Sequence, residues 1–300
     1  MVYTETKEKN DKKYYYRVIS IRNGKKVEKK RIYLGTDLNS EELERKIKEA
    51  DRELSAFKNI LTEEEIDLLE KLKKEFAKEP KITFENRYEA FSALFTYNSI
   101  AIEGNTLTLQ ETTRLLFQNI VPAGKSLREI NEVLNHKKAF DHIIDYKGDI
   151  TREFILGLHK LVTSNTLSPE LSSQIGKFRS VQVFITGVTW FPPKPQEVAS
   201  RMTSLLTWYS KNKKILHPLV LASCFHTEFE KIHPFIDGNG RVGRLLMNFI
   251  LHKNKYPMIN IPNAIKHKYY DALERAQTKN NLRPFVKLMI EILKDTKIRL

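Results

Sequence analysis

The sequence lacks the features that define several protein classes. Its 300 residues include one cysteine, Cys224, so an intrachain disulfide and a thiolate metal cluster are both excluded. The longest apolar runs, residues 219–225 and 245–251, are far shorter than the roughly 20 residues that cross a bilayer. Glycine and proline number only 11 each, which excludes a collagen-like or low-complexity chain.

The start of the chain lacks an apolar segment. Residues 5–31 are instead dense in lysine, arginine and glutamate, a composition that does not fit a secretory signal. We therefore expect a cytoplasmic protein with no membrane association. Hydrophobic residues make up 41% of the sequence and aromatic residues 10%, which is enough to build a core.

The positive charge is concentrated at the two ends of the chain. The formal net charge is +14, and residues 1–36 and 251–300 contribute +7 each, so the middle is neutral. Basic ends are compatible with binding to the phosphates of nucleic acid. Because no nucleic-acid-binding motif accompanies them, we expect that they keep the chain soluble and that nucleic acid is not a partner.

Periodicity divides the chain into three parts. Residues 14–34 alternate between two faces around Asn23-Gly24, a dipeptide that favours a hairpin turn. We expect a basic β-hairpin appendage over residues 1–36, a helical connecting region over 37–81 and a larger domain over 82–300.

The larger domain is predicted to be mainly α-helical. Apolar residues recur at three- and four-residue spacing, and capping boxes open helices at Thr108 and Ser126; a third box, at Thr62, opens a helix in the connecting region. Between residues 176 and 191 the period falls to two, which predicts a short β-hairpin that turns at Gly187.

The densest polar cluster is HPFIDGNGRVGR, residues 233–244. Pro234 disfavours helix in the residue before it, so one helix is expected to end near His233 and another to begin at Arg241. Gly238 and Gly240 permit backbone conformations that aim successive N–H groups into one concavity. A glycine-bearing turn at a helix N-terminus predicts an anion site, and phosphate is the usual anion there.

The side chains of this cluster suit phosphate chemistry. Arg241 and Arg244 lie three residues apart on the first helical turn, so both can face one anion. Asp237 is placed to hold Mg²⁺ together with phosphate oxygens. His233 can accept a proton from a hydroxyl aimed at the phosphate. A tight turn alone is the plainer alternative, but it does not explain seven chemically apt residues within twelve positions.

The cluster resembles the Fic-domain motif H-P-F-x-[D/E]-G-N-G-R-x-x-R at every specified position. An upstream segment, SIAIEG over residues 99–104, is similar to the inhibitory motif of the same family, in the subclass whose inhibitory helix lies N-terminal to the core motif. The resemblance covers about residues 82–300. It implies a mainly α Fic-type helical bundle with a short β-hairpin flap, and transfer of AMP from ATP to a Ser, Thr or Tyr hydroxyl of a target protein.

The resemblance assigns a role to each residue of the core motif. His233 is the expected general base, and Asp237 the ligand of Mg²⁺ that bridges the phosphates. Arg241 is expected to support the phosphates and Arg244 to hold the γ-phosphate. The expected anion hole consists of Gly238, Asn239 and Gly240.

The upstream match implies autoinhibition. In an inhibitory helix near residues 99–105, Glu103 is expected to hold Arg244 away from the γ-phosphate of ATP, with Ser99 and Gly104 completing the motif. In some relatives with this glutamate arrangement the same site removes AMP from a modified protein, so removal of AMP stays open as an alternative activity.

The resemblance also places the nucleotide and the target. The flap near residues 176–191 is expected to line the nucleotide site and to hold the target segment by strand addition. Tyr269 and Tyr270 are expected at the nucleotide pocket, although tyrosines of an amphipathic helix also fit core packing. Gln277 occupies a place where relatives often carry Asn. The flap residues expected at the nucleotide are Val183, Phe184, Ile185 and Thr186.

Further alternatives stay open. The basic ends leave a nucleic-acid-binding regulator as an interpretation of a different class. Other Fic-type transfers move phosphate, UMP or phosphocholine, but the intact pair Arg241 and Arg244 favours ATP in its usual orientation. The sequence is also compatible with self-modification and with a homodimer.

Overall fold

The computed structural model describes residues 2–23, 26–57, 60–188 and 190–295. It divides into two compact units, Met1–Glu70 and Lys71–Leu300. The division falls inside the helix Glu63–Ala77. The domain boundaries expected after residues 36 and 81 therefore stay predictions, and the two units are described separately.

The first unit opens with a three-stranded antiparallel sheet in the order β1-β2-β3. Its strands are β1 (Val2–Lys9), β2 (Lys12–Asn23) and β3 (Lys26–Thr36). Strands β2 and β3 form the expected hairpin, and Gly24 of the expected turn lies outside the described residues. Strand β1 was not expected, so the appendage is a larger sheet than the predicted hairpin.

The unexpected strand is added by a tight turn. Asn10 and Asp11 have φ values of 51° and 55°, a left-handed conformation that these two residue types tolerate. The turn pairs Lys9 with Lys12. Helix α1 (Ser40–Phe57) then packs against β3 and β2, so in the first unit a helix covers the sheet.

From Thr62 onwards the chain is mainly helical; the helix Glu63–Ala77 spans the division between the two units, and the helices after it lie in the second unit. The capping boxes expected at Thr62, Thr108 and Ser126 are all formed, which confirms three predicted helix starts. The helices are α2 (Glu63–Ala77), α3 (Phe84–Ile102), α4 (Leu109–Gln118), α5 (Leu127–Asp145), α6 (Arg152–Thr163), α7 (Pro195–Asn212), α8 (Pro218–Ile232), α9 (Asn239–Lys253), α10 (Lys266–Lys279) and α11 (Arg283–Asp295).

Helices α8 and α9 form the centre of this unit. They pack on each other; α3, α5 and α6 cover α9, while α7, α10 and α11 cover α8. Phe225, Phe229, Leu246 and Phe249 are buried completely or almost completely, as expected of helices that are apolar on most sides. The loop between α8 and α9 is therefore held between the two best-packed helices. Within the described residues, no helix combines the length and apolarity that a bilayer span needs.

The flap departs from its prediction. Among the described residues of the segment 176–191 there is no strand, although the chain turns at Gly187 with φ 86°. Phe184 and Phe191 are each 74% exposed, so the period-two pattern has no surface to pack on. Because a lone hairpin is marginal in water, the expected strand pairing does not form.

Candidate active site

The loop between α8 and α9 begins at His233. This residue ends α8 with φ 49° and ψ 61°, and its backbone N–H donates to the carbonyl of Phe229 over 2.9 Å. Helix α9 begins at Asn239, two residues before the expected start at Arg241. Gly238 has φ 81°, and a Cβ placed there would lie 2.9 Å from Cγ2 of Thr163, so both conformation and space favour glycine.

Asn239, expected in the anion hole, closes the loop with its side chain. The Oδ1 atom accepts from the N–H of Phe235 and the Nδ2 group donates to its carbonyl, both over 2.9 Å. Phe235 is fully buried and stacks on the imidazole of His159, with 3.8 Å between ring centroids. The loop is thereby anchored before any ligand arrives.

His159 is a supporting residue that sequence reasoning missed. Its Nδ1 accepts from the N–H of Gly176 over 2.9 Å, which leaves Nε2–H to donate to the carbonyl of Asp237 over 3.1 Å. Burial lowers the pKa of His159 to about 4, so the ring stays neutral. No local pattern pointed to it, because His159 lies on α6, far from the motif in sequence.

The imidazole of His233 is set up as a base. Its Nδ1 lies 3.4 Å from the carbonyl oxygen of Glu230, and as the donor in this bond it leaves the lone pair on Nε2. Burial lowers the pKa of His233 to about 4, partly opposed by that hydrogen bond, and the charge of Arg179 lowers it further. The ring is therefore neutral near pH 7, as a general base must be.

Arg179 joins the flap to the catalytic loop, and sequence reasoning missed it too. Its guanidinium is buried and donates to three carbonyls: those of His233 at 2.8 Å, Val181 at 3.0 Å and Pro193 at 2.5 Å. Its backbone N–H donates to the carbonyl of Pro234 over 2.9 Å. Both ends of the flap and the backbone of His233 are thus tied to one side chain.

Asp237 carries a negative charge at the edge of the loop. Its Oδ1 accepts from the N–H of Gly238 over 2.6 Å and from Nη2 of Arg241 over 3.1 Å, while Oδ2 lies 3.5 Å from Arg128. Burial opposes ionisation, but the neighbouring charges and the N–H bond outweigh it and lower the pKa of Asp237. Within the described part of the chain, no three His, Cys, Asp or Glu side chains form a metal cluster.

Arg241 is buried between two acidic groups. Besides Asp237 it faces Glu132 of α5, whose Oε1 lies 3.7 Å from Nη1. The Nε and Nη1 atoms of Arg241 have no hydrogen-bond acceptor among the described residues. Such donors fit a phosphate oxygen, which would supply the missing acceptors. Glu132, held by Asn105 at 2.9 Å, is a further residue that the sequence did not single out.

The contact expected between Glu103 and Arg244 is present, and its inhibitory role stays a prediction. Arg244 is 1% exposed, and its Nη2 donates to Oε1 of Glu103 over 2.7 Å. Ser99 holds the same guanidinium through its hydroxyl at 2.9 Å and its carbonyl at 2.6 Å. A Cβ placed on Gly240 would collide with Oε1 of Glu103, so this carboxylate lies directly over the glycine turn at the start of α9.

The segment expected as an inhibitory helix is the end of α3. Ser99 lies in its last turn, and Glu103 follows as the capping residue after Ile102. Gly104 then has φ 100°, which turns the chain away from the helix. Burial alone would lower the pKa of Arg244, but Glu103 raises it, so the guanidinium is charged and paired.

The residues expected at the nucleotide differ in their placement. Tyr269 is 1% exposed, and its hydroxyl lies 2.8 Å from Nε2 of His226. This placement agrees with core packing, the alternative to a contact with nucleotide. Tyr270 is 42% exposed, so its ring has a surface that the nucleobase of ATP could contact. Gln277 is buried and reaches the carbonyl of Thr227 at 3.4 Å, a tie between α10 and α8.

The flap residues present their side chains to solvent. Phe184 and Thr186 are exposed, and Val183 and Ile185 are half-buried. Their expected contact with nucleotide stays a prediction.

Comparison with known proteins matches both the motif and the fold. The Fic/DOC family model matches residues 149–251. A Fic domain containing signaling protein from Bacteroides thetaiotaomicron is 30% identical, with a TM-score of 0.69 over 76% of this chain and 93% of that one. The chain belongs to the Fic/DOC family. This membership confirms the family and the mainly α fold that the motif predicted.

Other Fic proteins are similar over two thirds or more of the chain. Fic-1 from C. elegans is 27% identical, with a TM-score of 0.68 over 86% of this chain and 76% of that one. Proteins named protein adenylyltransferase Fic are 38% identical in Drosophila yakuba and 36% identical in Nematostella vectensis, over 67% of this chain. The chain spans only 40% and 46% of those two relatives.

Proposed function

We propose that this Fic protein transfers AMP from ATP to a Ser, Thr or Tyr hydroxyl of a target protein. The observation that carries the proposal is a neutral His233 with its Nε2 free, next to a helix N-terminus that bears Arg241 and Arg244. The names of the adenylyltransferase relatives support the same activity.

The transfer step follows from this arrangement. The target hydroxyl gives its proton to Nε2 of His233 while its oxygen forms a bond to the α-phosphorus of ATP. The bond between that phosphorus and the bridging oxygen breaks, and pyrophosphate leaves with the electron pair. Arg241, Arg244 and the N–H groups at the start of α9 stabilise the negative charge on the phosphates.

Asp237 fits a metal ion that is shared with the substrate. Its carboxylate is ionised and partly exposed, and its Oδ2 lies 3.5 Å from Nη2 of Arg128. Because the described residues offer no cluster of further ligands, phosphate oxygens would complete the coordination. Mg²⁺ held there would neutralise charge on the phosphates of ATP.

Glu103 keeps the site inhibited in this proposal. Its carboxylate occupies the place over Gly240 where phosphate would bind, and it engages the guanidinium meant for the γ-phosphate. Release of Glu103 would free both. A target segment docked along the flap 176–191 would present its hydroxyl to His233. A cytoplasmic location would supply the ATP, and cell fractionation tests that location.

Incubation of the purified chain with ATP labelled at the α-phosphate and Mg²⁺, with a cell extract as the source of targets, tests the proposal. We expect label on protein, including self-modification, and an added mass of one AMP by mass spectrometry. ATP labelled only at the γ-phosphate should leave the purified chain unlabelled when no extract is added, and a His233→Ala chain should give no label from the α-phosphate. Label from the γ-phosphate alone would contradict AMP transfer. A modified target supplied without ATP tests AMP removal.

A further inference from the structure

Glu230 is a buried carboxylic acid beside the catalytic loop. It lies in the last turn of α8, three residues before His233, and is 7% exposed. Its Oε2 lies 4.0 Å from Nδ1 of His233, and its Oε1 has no hydrogen-bond partner among the described residues. An unsatisfied buried carboxyl group is costly, so its presence in the best-packed part of the molecule needs an explanation.

Packing between α8 and α9 fixes the position of this carboxyl group. A Cβ placed on Gly243 of α9 would collide with Oε1 of Glu230 and lie 3.0 Å from Nδ1 of His226. The absence of a side chain at Gly243 therefore creates the space that the carboxyl group fills. Glu230 has little freedom to move away from His233.

We propose that Glu230 is a positioning residue for His233, which holds the Nδ1–H side of the imidazole and stabilises the imidazolium formed during transfer. The inference rests on the proposed function and deepens it. In the step, the hydroxyl proton moves to Nε2 and the proton on Nδ1 stays in place. His233 then carries a positive charge, and an ionised Glu230 would form an ion pair with it.

The protonation state of Glu230 makes the proposal measurable. Burial raises the pKa of Glu230 to about 8, although the charge of Arg244 opposes this shift. Near pH 7 the acid is mostly neutral, and a charged imidazolium would then be buried near Arg179 without a carboxylate partner. Several charged or titratable groups surround Glu230. They are His226 in α8 and His233 at its end, Arg244 of α9, Glu103 after α3, and Tyr269 and Tyr270 of α10.

The rate of transfer should therefore rise as Glu230 ionises. We would measure it in the full chain carrying Glu103→Gly, which removes the inhibitory carboxylate. Between pH 6.5 and 9 the rate should rise about tenfold, because the ionised Glu230 stabilises the buried imidazolium of His233 in the transition state. A tenfold change in rate needs only a small difference in free energy. Glu230→Gln, an isostere of the neutral acid, should abolish this rise and leave the Kd for ATP within about twofold.

A matched variant controls for a general effect of α8. Glu228→Gln removes an exposed carboxylate from the same helix and should retain the rise. Thermal unfolding of each variant checks that the fold is kept. A pH profile of Glu230→Gln that still rises like that of the parent would overturn the proposal.

A second readout does not depend on catalysis. With histidine rings labelled with ¹⁵N, the signals of His233, assigned from a His233→Gln chain, should show a proton on Nδ1. They should also shift with an apparent pKa near 8, the value for Glu230, and lose this shift in Glu230→Gln. If the NMR shift is present but no AMP is transferred, the proposed function fails and the pairing stands. If the shift persists in Glu230→Gln, the pairing is wrong.

Discussion

Replacing Glu103 by glycine should activate this protein. The carboxylate makes one charge-assisted hydrogen bond to Arg244 at 2.7 Å and lies over Gly240, where a phosphate group would bind. Two contacts with Ser99 remain after the change, so Arg244 keeps its orientation. Glu103→Gly thus removes the carboxylate that competes with the γ-phosphate and leaves the guanidinium of Arg244 in place to bind that phosphate.

The size of the effect follows from that one contact. A hydrogen bond between charged groups contributes about 1.5–3 kcal/mol. Because about 1.4 kcal/mol corresponds to a factor of ten, productive ATP binding should rise roughly ten- to a hundredfold. The assay is self-modification or transfer from ATP labelled at the α-phosphate, measured as initial rates over a range of ATP concentrations.

Two comparisons make this test specific to Glu103. Glu103→Gln keeps the shape and loses the charge, so its rate should lie between those of the wild type and Glu103→Gly. Glu89→Gln, which changes an exposed glutamate of the same helix, should match the wild type. The double change Glu103→Gly with Arg244→Ala should lose the gain. If Glu103→Gly transfers no faster than the wild type at ATP concentrations below saturation, with Mg²⁺ in excess, the autoinhibition argument is wrong.

Three further changes test the loop. His233→Ala should reduce transfer at least about 100-fold and leave ATP binding by calorimetry intact, since a general base acts on the chemical step; unchanged transfer would remove its role. Asp237→Asn should abolish the Mg²⁺ dependence of ATP binding, and a retained dependence would place the metal elsewhere. Gly238→Ala should lose about 1–3 kcal/mol of stability in thermal unfolding, because φ is 81° and Thr163 is close; an unchanged Tm would contradict this.

Local sequence patterns predicted most of the helical fold. The boxes at Thr62, Thr108 and Ser126 marked helix starts because each involves atoms only three residues apart. The end of α8 at His233 followed in the same way from the neighbouring Pro234. Predictions of this kind succeed where the deciding interaction lies within one turn of the chain.

The β elements show where local patterns fail. Strand β1 carries mainly polar residues, and its turn, Asn10-Asp11, has no glycine, so neither signal of a hairpin was present. The flap has the opposite problem. Val183 and Ile185 alternate with Gln182, Phe184 and Thr186 as in a strand, but Phe184 is 74% exposed and pairing does not form among the described residues. Strand formation depends on partners that a local pattern does not reveal.

In the candidate site, too, local patterns predicted some residues and missed those whose roles depend on distant parts of the chain. The contiguous motif revealed His233, Asp237 and the arginines, because the sequence itself places them together. Glu103 lies 141 residues from Arg244, and only the family resemblance connected the two. Glu132 had neither kind of signal, since it acts through a contact that forms when α5 packs against α9. Glu230 lies only three residues from His233, but the burial that gives it a role comes from the packing of α8 on α9 at Gly243.

The role of Arg179, which the sequence did not single out, can be tested at the flap. Its guanidinium donates to the carbonyls of His233, Val181 and Pro193, three bonds in a fork that a lysine ammonium cannot reproduce at once. Arg179→Lys keeps the positive charge and should release at least one end of the flap. Because a hydrogen bond from a charged donor contributes about 1.5–3 kcal/mol, kcat/KM for a protein target should fall about tenfold or more. The Kd for ATP should change by less than about threefold, since Arg179 donates only to backbone carbonyls. Arg201→Lys, an exposed arginine on α7 paired with Glu197, is the matched control and should change neither quantity. Equal kcat/KM values for Arg179→Lys and the wild type would show that the flap is held without this side chain.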